Sequence, residues 1–219
     1  MRSAGRPVNE RPLRGYTLVV AEDRAALEAR ITRCLELGQP AEAATVALRG
    51  YGAEILGYLV TVLRDESAAS DVFADFCEDL WKGLPAYRRQ SSFRTWAYRI
   101  AWNAARMFWR DPYRRRVRRL ATDEYSQVAD QLRVSSLRAD PLAAADRLAR
   151  LRESLEPEEQ TLLILRIDKG LAWKEIAEVL GNGEDPPPEV AALRKRFERL
   201  KERLLRLAEK EGLRAPRPR

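Results

Sequence analysis

Apolar residues recur along this chain at spacings of three and four, and no segment alternates apolar with polar positions. A period near 3.6 builds helices with one buried stripe and a period of two builds strands, so the pattern commits the chain to an all-α fold. Leu27, Ile31, Cys34 and Leu35 mark a first helix, closed by Gly38, Gln39 and Pro40. Val46, Tyr51, Ile55, Leu59 and Val62 carry a second from Ala41 to Leu63. A third is expected over Ala68 to Trp81, ended by Lys82 to Pro85, and a fourth, rich in aromatic residues, over Phe93 to Arg110. Four such helices bury their stripes against one another as a small bundle.

Changes of composition divide the chain. Residues 1–21 hold prolines, glycines and arginines and read as a disordered basic arm; 22–111 form the first domain. Residues 112–141 open on Arg114, Arg115, Arg116, Arg118 and Arg119, continue through serines to Asp140-Pro141, and read as a flexible linker. A second domain is expected over 142–212, followed by a tail over 213–219. Within it, Pro157 in a first helical turn and Glu158 and Glu159 at the positive dipole end mark a helix start. Leu162, Leu163, Leu165 and Ile167 form that helix's core side. The fold expected is two small helical domains joined by the linker.

Charge and missing residue types exclude several functions. The chain has 40 Lys and Arg against 33 Asp and Glu, a net charge of +7 and no histidine. Imidazole is the usual general base near neutral pH and the commonest metal ligand, so triads and zinc sites are hard to build, and no Gly-rich phosphate loop is present. No catalytic residue, metal or cofactor is assigned. Cys34 and Cys77 lie far apart in helical patterns and are expected to be buried free thiols. The longest nearly apolar run, Ile55 to Leu63, is about half of the ~20 residues a membrane span needs. A soluble cytoplasmic protein with a polyanionic partner and no membrane insertion is the expectation.

Two segments suit nucleic acid. Ala172 to Gly181 has the grammar of the first helix of a helix-turn-helix, with Ile176, Ala177 and Leu180 inward. The following helix, Glu189 to about Lys210, carries Arg194, Lys195, Arg196, Arg199, Lys201, Arg203 and Arg206 against Glu198 and Glu202, over an apolar stripe of Leu193, Phe197, Leu200, Leu204 and Leu207. Such a helix can enter a major groove, where arginine reads guanine and lysine grips phosphate, or present a solvated basic face. In the fourth helix, Phe93, Ala97, Ile100, Ala104 and Met107 fall on one side, assigned to the core. Arg99, Asn103, Arg106 and Arg110 form a neighbouring polar stripe, flanked by Tyr98, Trp102 and Trp109. Rings beside arginines suit a single strand, whose bases stack while cations track its backbone; packing against another element is the alternative.

The segment Tyr87 to Asn103, with Ser91-Ser92-Phe93-Arg94-Thr95-Trp96 at its centre, resembles the promoter-melting segment of bacterial RNA polymerase sigma factors of the extracytoplasmic-function group. The resemblance covers about residues 25–111 and 142–210, in the order sigma region 2, linker, sigma region 4. It implies an alternative sigma factor that binds core RNA polymerase, recognises a two-part promoter, and melts its minus-ten region without chemistry of its own. Asp71, Asp75 and Glu78 then bind the polymerase clamp, with Asp71 and Asp75 expected to be exposed on one helical face. Arg88, Arg89, Gln90, Ser91 and Ser92 form a specificity loop for minus-ten DNA, with Trp96, Arg99, Asn103, Arg106 and Arg110 beyond it. Trp96 fills the place of a duplex wedge, or belongs to the core. Arg194, Lys195, Arg196, Arg199 and Lys201 face the minus-thirty-five element. Duplex and melted promoter DNA are the implied partners, with an anti-sigma factor a further one. A stand-alone helix-turn-helix regulator is the alternative, and leaves the fourth helix and the acidic third helix unexplained. Asn182 to Pro188 lengthens the turn ahead of the reading helix relative to the family.

Overall fold

The computed structural model describes residues 14–111, 154–181 and 188–210, and within them only helices and turns occur. Helix α1 spans Arg14–Glu36, α2 Pro40–Leu63, α3 Glu66–Gly83 and α4 Phe93–Arg110. After the undescribed stretch, α5 spans Pro157–Leu163 and runs into a π turn over Ile164–Asp168; α6 spans Trp173–Leu180 and α7 Val190–Lys210. The fold is all-α, as expected. The disordered arm is corrected in part: α1 reaches back to Arg14, because no proline lies between Pro12 and Pro40 and the chain from Tyr16 to Ala21 holds no helix breaker. Residues 1–13, the linker, the start of the second domain, the Asn182 to Pro187 insertion and the tail lie outside the described residues.

Local chemistry fixes the helix ends. Pro40 enters α2 in its first turn, where its missing N–H costs nothing. Asp65 caps α3 by accepting from Ala68 N–H at 3.0 Å, and Ser92 caps α4 by accepting from Thr95 N–H at 3.1 Å. Beyond α2, Arg64 takes a left-handed conformation, φ 57°, and sends its guanidinium to the Leu155 carbonyl at 2.8 Å and to Gln160 Oε1 at 3.1 Å. The π turn is closed by Lys169 N–H on the Ile164 carbonyl at 2.9 Å, and the wider turn rotates Ile167 outward to 58% exposure. That corrects its assignment to the core side. Gly170, φ 67°, supplies the left-handed residue that turns the chain into α6.

Helix α2 lies at the centre, packed by α1, α3 and α4, and contributes eleven buried residues. Among the described residues it is the one helix long and apolar enough to cross a membrane, and half of its most apolar window is buried inside the bundle. The sequence did not reveal how the second group of helices is placed. Residues 154–181 pack on α2 and α4, and the buried side chains of both groups form one continuous core. Tyr58 and Thr161, both buried, share a hydrogen bond at 3.2 Å, and Gln160 Nε2 donates to the Thr61 carbonyl at 2.8 Å. Glu175 accepts from Ala172 N–H at 2.7 Å at the start of α6 and from the Thr95 hydroxyl of α4 at 2.9 Å.

The polar centre of this junction is Glu54 of α2. Arg94 donates to it through Nε at 3.1 Å and also through Nη2, the Tyr98 hydroxyl donates at 2.8 Å, and Lys169 Nζ lies 4.0 Å away. Burial works against the carboxylate's charge, but the Arg94 and Tyr98 hydrogen bonds and the Lys169 cation outweigh it and hold Glu54 below its ordinary range. A depressed carboxylate stabilises the fold above its unfolded pKa, and that contribution disappears as pH falls through the folded value. Glu54→Ala is therefore expected to cost about 2 kcal/mol at pH 7. In urea unfolding curves the gap from wild type should narrow steadily as the buffer is taken below the carboxylate range, and a gap independent of pH would contradict the assignment.

Candidate nucleic-acid interface

Helix α4 is covered on two sides, by α2 and α3 and by α6, and this decides which of its residues face solvent. Tyr98 is 0% exposed, bonded to Glu54 and set edge-on to Tyr58 at 5.3 Å between ring centres. Trp102 is buried, with Trp109 edge-on to it at 5.8 Å. The flanking rings are therefore corrected: Tyr98 and Trp102 belong to the core, and Trp109 is half-buried. Met107, assigned to the core, is 51% exposed. Tyr98 meets Glu54 and Tyr58 of α2, so α4 turns toward α2 a face that its own apolar stripe does not declare.

Trp96 is 7% exposed, within 4.9 Å of the Tyr87 ring centre and 5.1 Å of Phe93, and its ring approaches Gly83 so closely that a Cβ there would stand 3.0 Å from Cζ2. It is a core residue in this structure, the second of the two readings that its sequence position leaves open. The polar stripe fares differently. Arg99, Asn103 and Arg106 are half-buried and Arg110 is exposed. The carbonyl oxygen Oδ1 of Asn103 is buried and has no hydrogen-bond partner among the described residues, and the same holds for the adjacent Trp102 Nε1. A buried unpaired acceptor costs about 1–3 kcal/mol, which an incoming donor would relieve.

The loop before α4 is held from α1, a connection the sequence reading missed. Glu28 accepts from the Phe93 and Arg94 N–H groups at 2.8 and 3.0 Å and from the Tyr51 hydroxyl at 2.7 Å, so a side chain distant in sequence supplements the Ser92 cap. Burial first, then the Glu28 bond, pushes the Tyr51 phenol far above its ordinary value. Arg89, φ 57°, pairs with Glu36 at 2.6 Å, and the Ser91 carbonyl accepts from the Tyr87 hydroxyl at 2.8 Å. Arg88 and Gln90 are exposed. Of the five expected loop contacts, Ser92 caps the helix, Arg89 is paired, and Arg88 and Gln90 have their side chains open to solvent.

The acidic face of α3 is divided. Asp71 is 8% exposed, in a cleft closed by Phe108 and Trp109 from the end of α4, which corrects its expected exposure. Asp75 is half-buried; Glu78 is exposed and pairs with Lys82, whose ammonium is pushed up by that hydrogen bond. Cys34 and Cys77 are free and half-buried, and burial pushes the Cys77 thiol up to about 12, a poor nucleophile.

In the second group α7 buries Leu193, Phe197 and Leu200 against α5 and α6, the stripe expected, while Leu204 and Leu207 are half-buried. Arg194, Lys195, Arg199 and Lys201 are exposed, Lys201 in an i,i+3 pair with Glu198 at 2.7 Å. Arg196 bonds Glu158 at 2.6 Å and Arg203 bonds Glu159 at 3.0 Å. Arg196 thus ties α7 to α5, which separates it from its solvent-facing neighbours. Arg194 lies over the Trp173 ring at 5.9 Å.

A helical bundle with a cation-lined helix beside a structured loop is thus followed by a helix pair with a basic outer face. The sequence profile of Sigma-70 region 2 matches residues 48–116, from within α2 to just past α4. The chain is 31% identical over 140 residues to the RNA polymerase sigma factor YlaC of Bacillus subtilis (strain 168), covering 61% of this chain and 76% of that protein. The fold matches CnrH, solved in complex with the cytosolic domain of CnrY, with a TM-score of 0.55 and 20% identity over 86% of this chain and 97% of that one. The chain belongs to the bacterial RNA polymerase sigma factors, in the extracytoplasmic-function group.

Trp96→Ala is expected to lower stability by about 3–5 kcal/mol, the range for removing a buried aromatic residue. Thermal unfolding measured without DNA or polymerase reads this directly; a variant as stable as wild type would return Trp96 to the surface.

Proposed function

We propose that this sigma factor binds core RNA polymerase through the exposed part of α3, engages minus-thirty-five DNA with α7 and captures the melted minus-ten strand on α4, in the cytoplasm and with no chemistry of its own. The observation that carries the reading is Asn103, whose buried, unpartnered Oδ1 lies among Arg99, Arg106 and Arg110. Its amide offers an acceptor to an exocyclic amine, and the arginines offer cations to the flanking phosphates. Capture of an extruded base offsets the few kcal/mol that unstacking costs. Asp75 and Glu78, with Asp71 buried behind them, present the acidic edge to polymerase. Arg88 and Gln90 read bases from the loop that Glu28 and Glu36 hold in place. Arg194, Lys195, Arg199 and Lys201 meet the upstream element.

Engaging both elements requires the two helical groups to separate. At 3.4 Å per base pair, elements centred near minus ten and minus thirty-five lie on the order of 85 Å apart along straight duplex. Helices α5 to α7 must then leave α2 and α4, opening the junction around Glu54. A regulatory protein partner belongs to the same proposal, since CnrH is bound to the cytosolic domain of CnrY.

Run-off transcription with core polymerase and a promoter library tests the whole reading; no promoter-directed transcript would overturn it. Asp75→Lys with Glu78→Lys should weaken polymerase binding at least tenfold, about 1.4 kcal/mol, without changing the circular dichroism spectrum. Full retention in a pull-down would remove α3 from the interface. Asn103→Ala should leave polymerase binding intact and impair promoter opening. Wild-type permanganate reactivity of thymines in the variant's complex would make Asn103 a bystander.

A further inference from the structure

We infer that Trp173 is a positioning residue for Arg194 and so sets how sharply the upstream promoter element is read. The inference rests on the reading of α7 as the helix that meets minus-thirty-five DNA. It adds an uncharged residue of α6 to the cations already assigned to that element.

Trp173 opens α6 and is half-buried, with contacts on both the inner and the outer side of α7. Its ring lies edge-on to Phe197, with 5.4 Å between ring centres, and Phe197 is buried. Arg194 stands three residues before Phe197, so the two side chains leave neighbouring positions on one side of the helix. Arg194 is exposed, and its guanidinium carbon lies 5.9 Å from the centre of the Trp173 ring. That is within the range of about 6 Å at which the negative face of an aromatic ring attracts a cation, and indole attracts most strongly.

The ring itself is fixed. The π turn over Ile164–Asp168 brings the Arg166 guanidinium to 4.9 Å from the same ring centre, and Arg166 Nη1 donates to the Leu171 carbonyl at 2.9 Å. Leu171 N–H donates in turn to the Leu165 carbonyl at 2.9 Å. Arg166 is therefore held between two ordered turns, and Trp173 is held between Arg166 and Phe197. Among the described residues Arg194 forms no ion pair, whereas Arg196 is tied to Glu158 and Lys201 to Glu198. The indole is what orients Arg194.

This form of restraint suits a base-reading arginine. A carboxylate partner would occupy the N–H groups with which a guanidinium reads guanine, as Glu158 does for Arg196. A ring face attracts the charge and uses none of those donors, so two remain available for O6 and N7 of the base. Ordering a long side chain only on contact with DNA would reduce binding, and the ring orders this one beforehand.

The test is run-off transcription with core polymerase from a promoter library randomised across the upstream element, read as the base preference at each position. Arg194→Ala marks the positions that Arg194 reads. Tetrafluorotryptophan placed at position 173 alone keeps the indole's shape and N–H and withdraws the negative charge from its face. At the marked positions this variant should lose about two- to fivefold of the preference, the factor that one exposed cation–π contact represents. In the Arg194→Ala background the same replacement should change nothing further. An unchanged profile in the fluorinated variant, an equal fall at every upstream position, or a further fall in the Arg194→Ala background would each overturn the inference. The two levels separate: a flattened Arg194→Ala profile beside an unchanged fluorinated one rejects the role of Trp173 alone, and an Arg194→Ala variant that flattens no position rejects the reading of α7 beneath it.

Discussion

The Glu54 carboxylate is satisfied only when α4 stands in one rotation about its own axis. Removing a carboxylate from water costs several kcal/mol, and the charge is tolerated where hydrogen bonds and cations surround it. Arg94 and Tyr98, one helical turn apart on α4, both reach it, and they do so only if that face of α4 turns toward α2. The rotation so fixed leaves Arg99, Asn103 and Arg106 half-buried at the edge of that face and Arg110 exposed. The same guanidinium donates to the Lys169 carbonyl at 3.1 Å, so the network that sets α4 also holds the second group of helices. One polar cluster thus sets both the presentation of the proposed capture surface and the closure of the molecule.

The start of α4 depends on a second carboxylate. A helix N-terminus leaves several N–H groups without partners, and here Ser92 and Glu28 share them. Because Glu28 comes from α1, the loop from Arg88 to Ser92 is fixed to a helix that precedes it by more than fifty residues in sequence. That coupling gives the loop one geometry, with Arg89 held by Glu36 and Arg88 and Gln90 turned to solvent. Specific reading of bases requires such order, since a loop free to move would surrender binding energy to entropy.

Helices, their ends and the buried stripe of α7 were legible in the sequence because they follow from local period and capping chemistry. The Tyr87 to Asn103 motif was legible for the same reason, being continuous. What escaped was every feature made by residues far apart. Tyr98 reads as an outer ring because nothing in α4 announces that Glu54 and Tyr58 of α2 will meet it. Asp71 read as exposed because Phe108 and Trp109, which close over it, lie on another helix. Arg196 read as one of five equivalent cations, yet only the fold brings Glu158 to it. Ile167 followed the apolar period until the π turn displaced it. Glu28 and Glu54 carried no signal at all, since a single acid on a helix looks alike whether it faces water or organises a junction.

The hydrogen bond between Tyr58 and Thr161 spans 103 residues of sequence, and the link from Arg64 to the Leu155 carbonyl spans 91. Contacts of such separation close late, because a long loop must be ordered before they form. On a ribosome adding about 5–20 residues each second, Thr161 emerges roughly 5–20 s after Tyr58. Once α4 is complete at Arg110, 51 residues and so roughly 2.5–10 s remain before Thr161 emerges, and the bundle of α1 to α4 then stands with its junction face uncovered and Tyr58 without its partner. Each newly made molecule therefore passes through the uncovered arrangement before it first closes, and in a nascent chain that face is bare without any ligand having to open it.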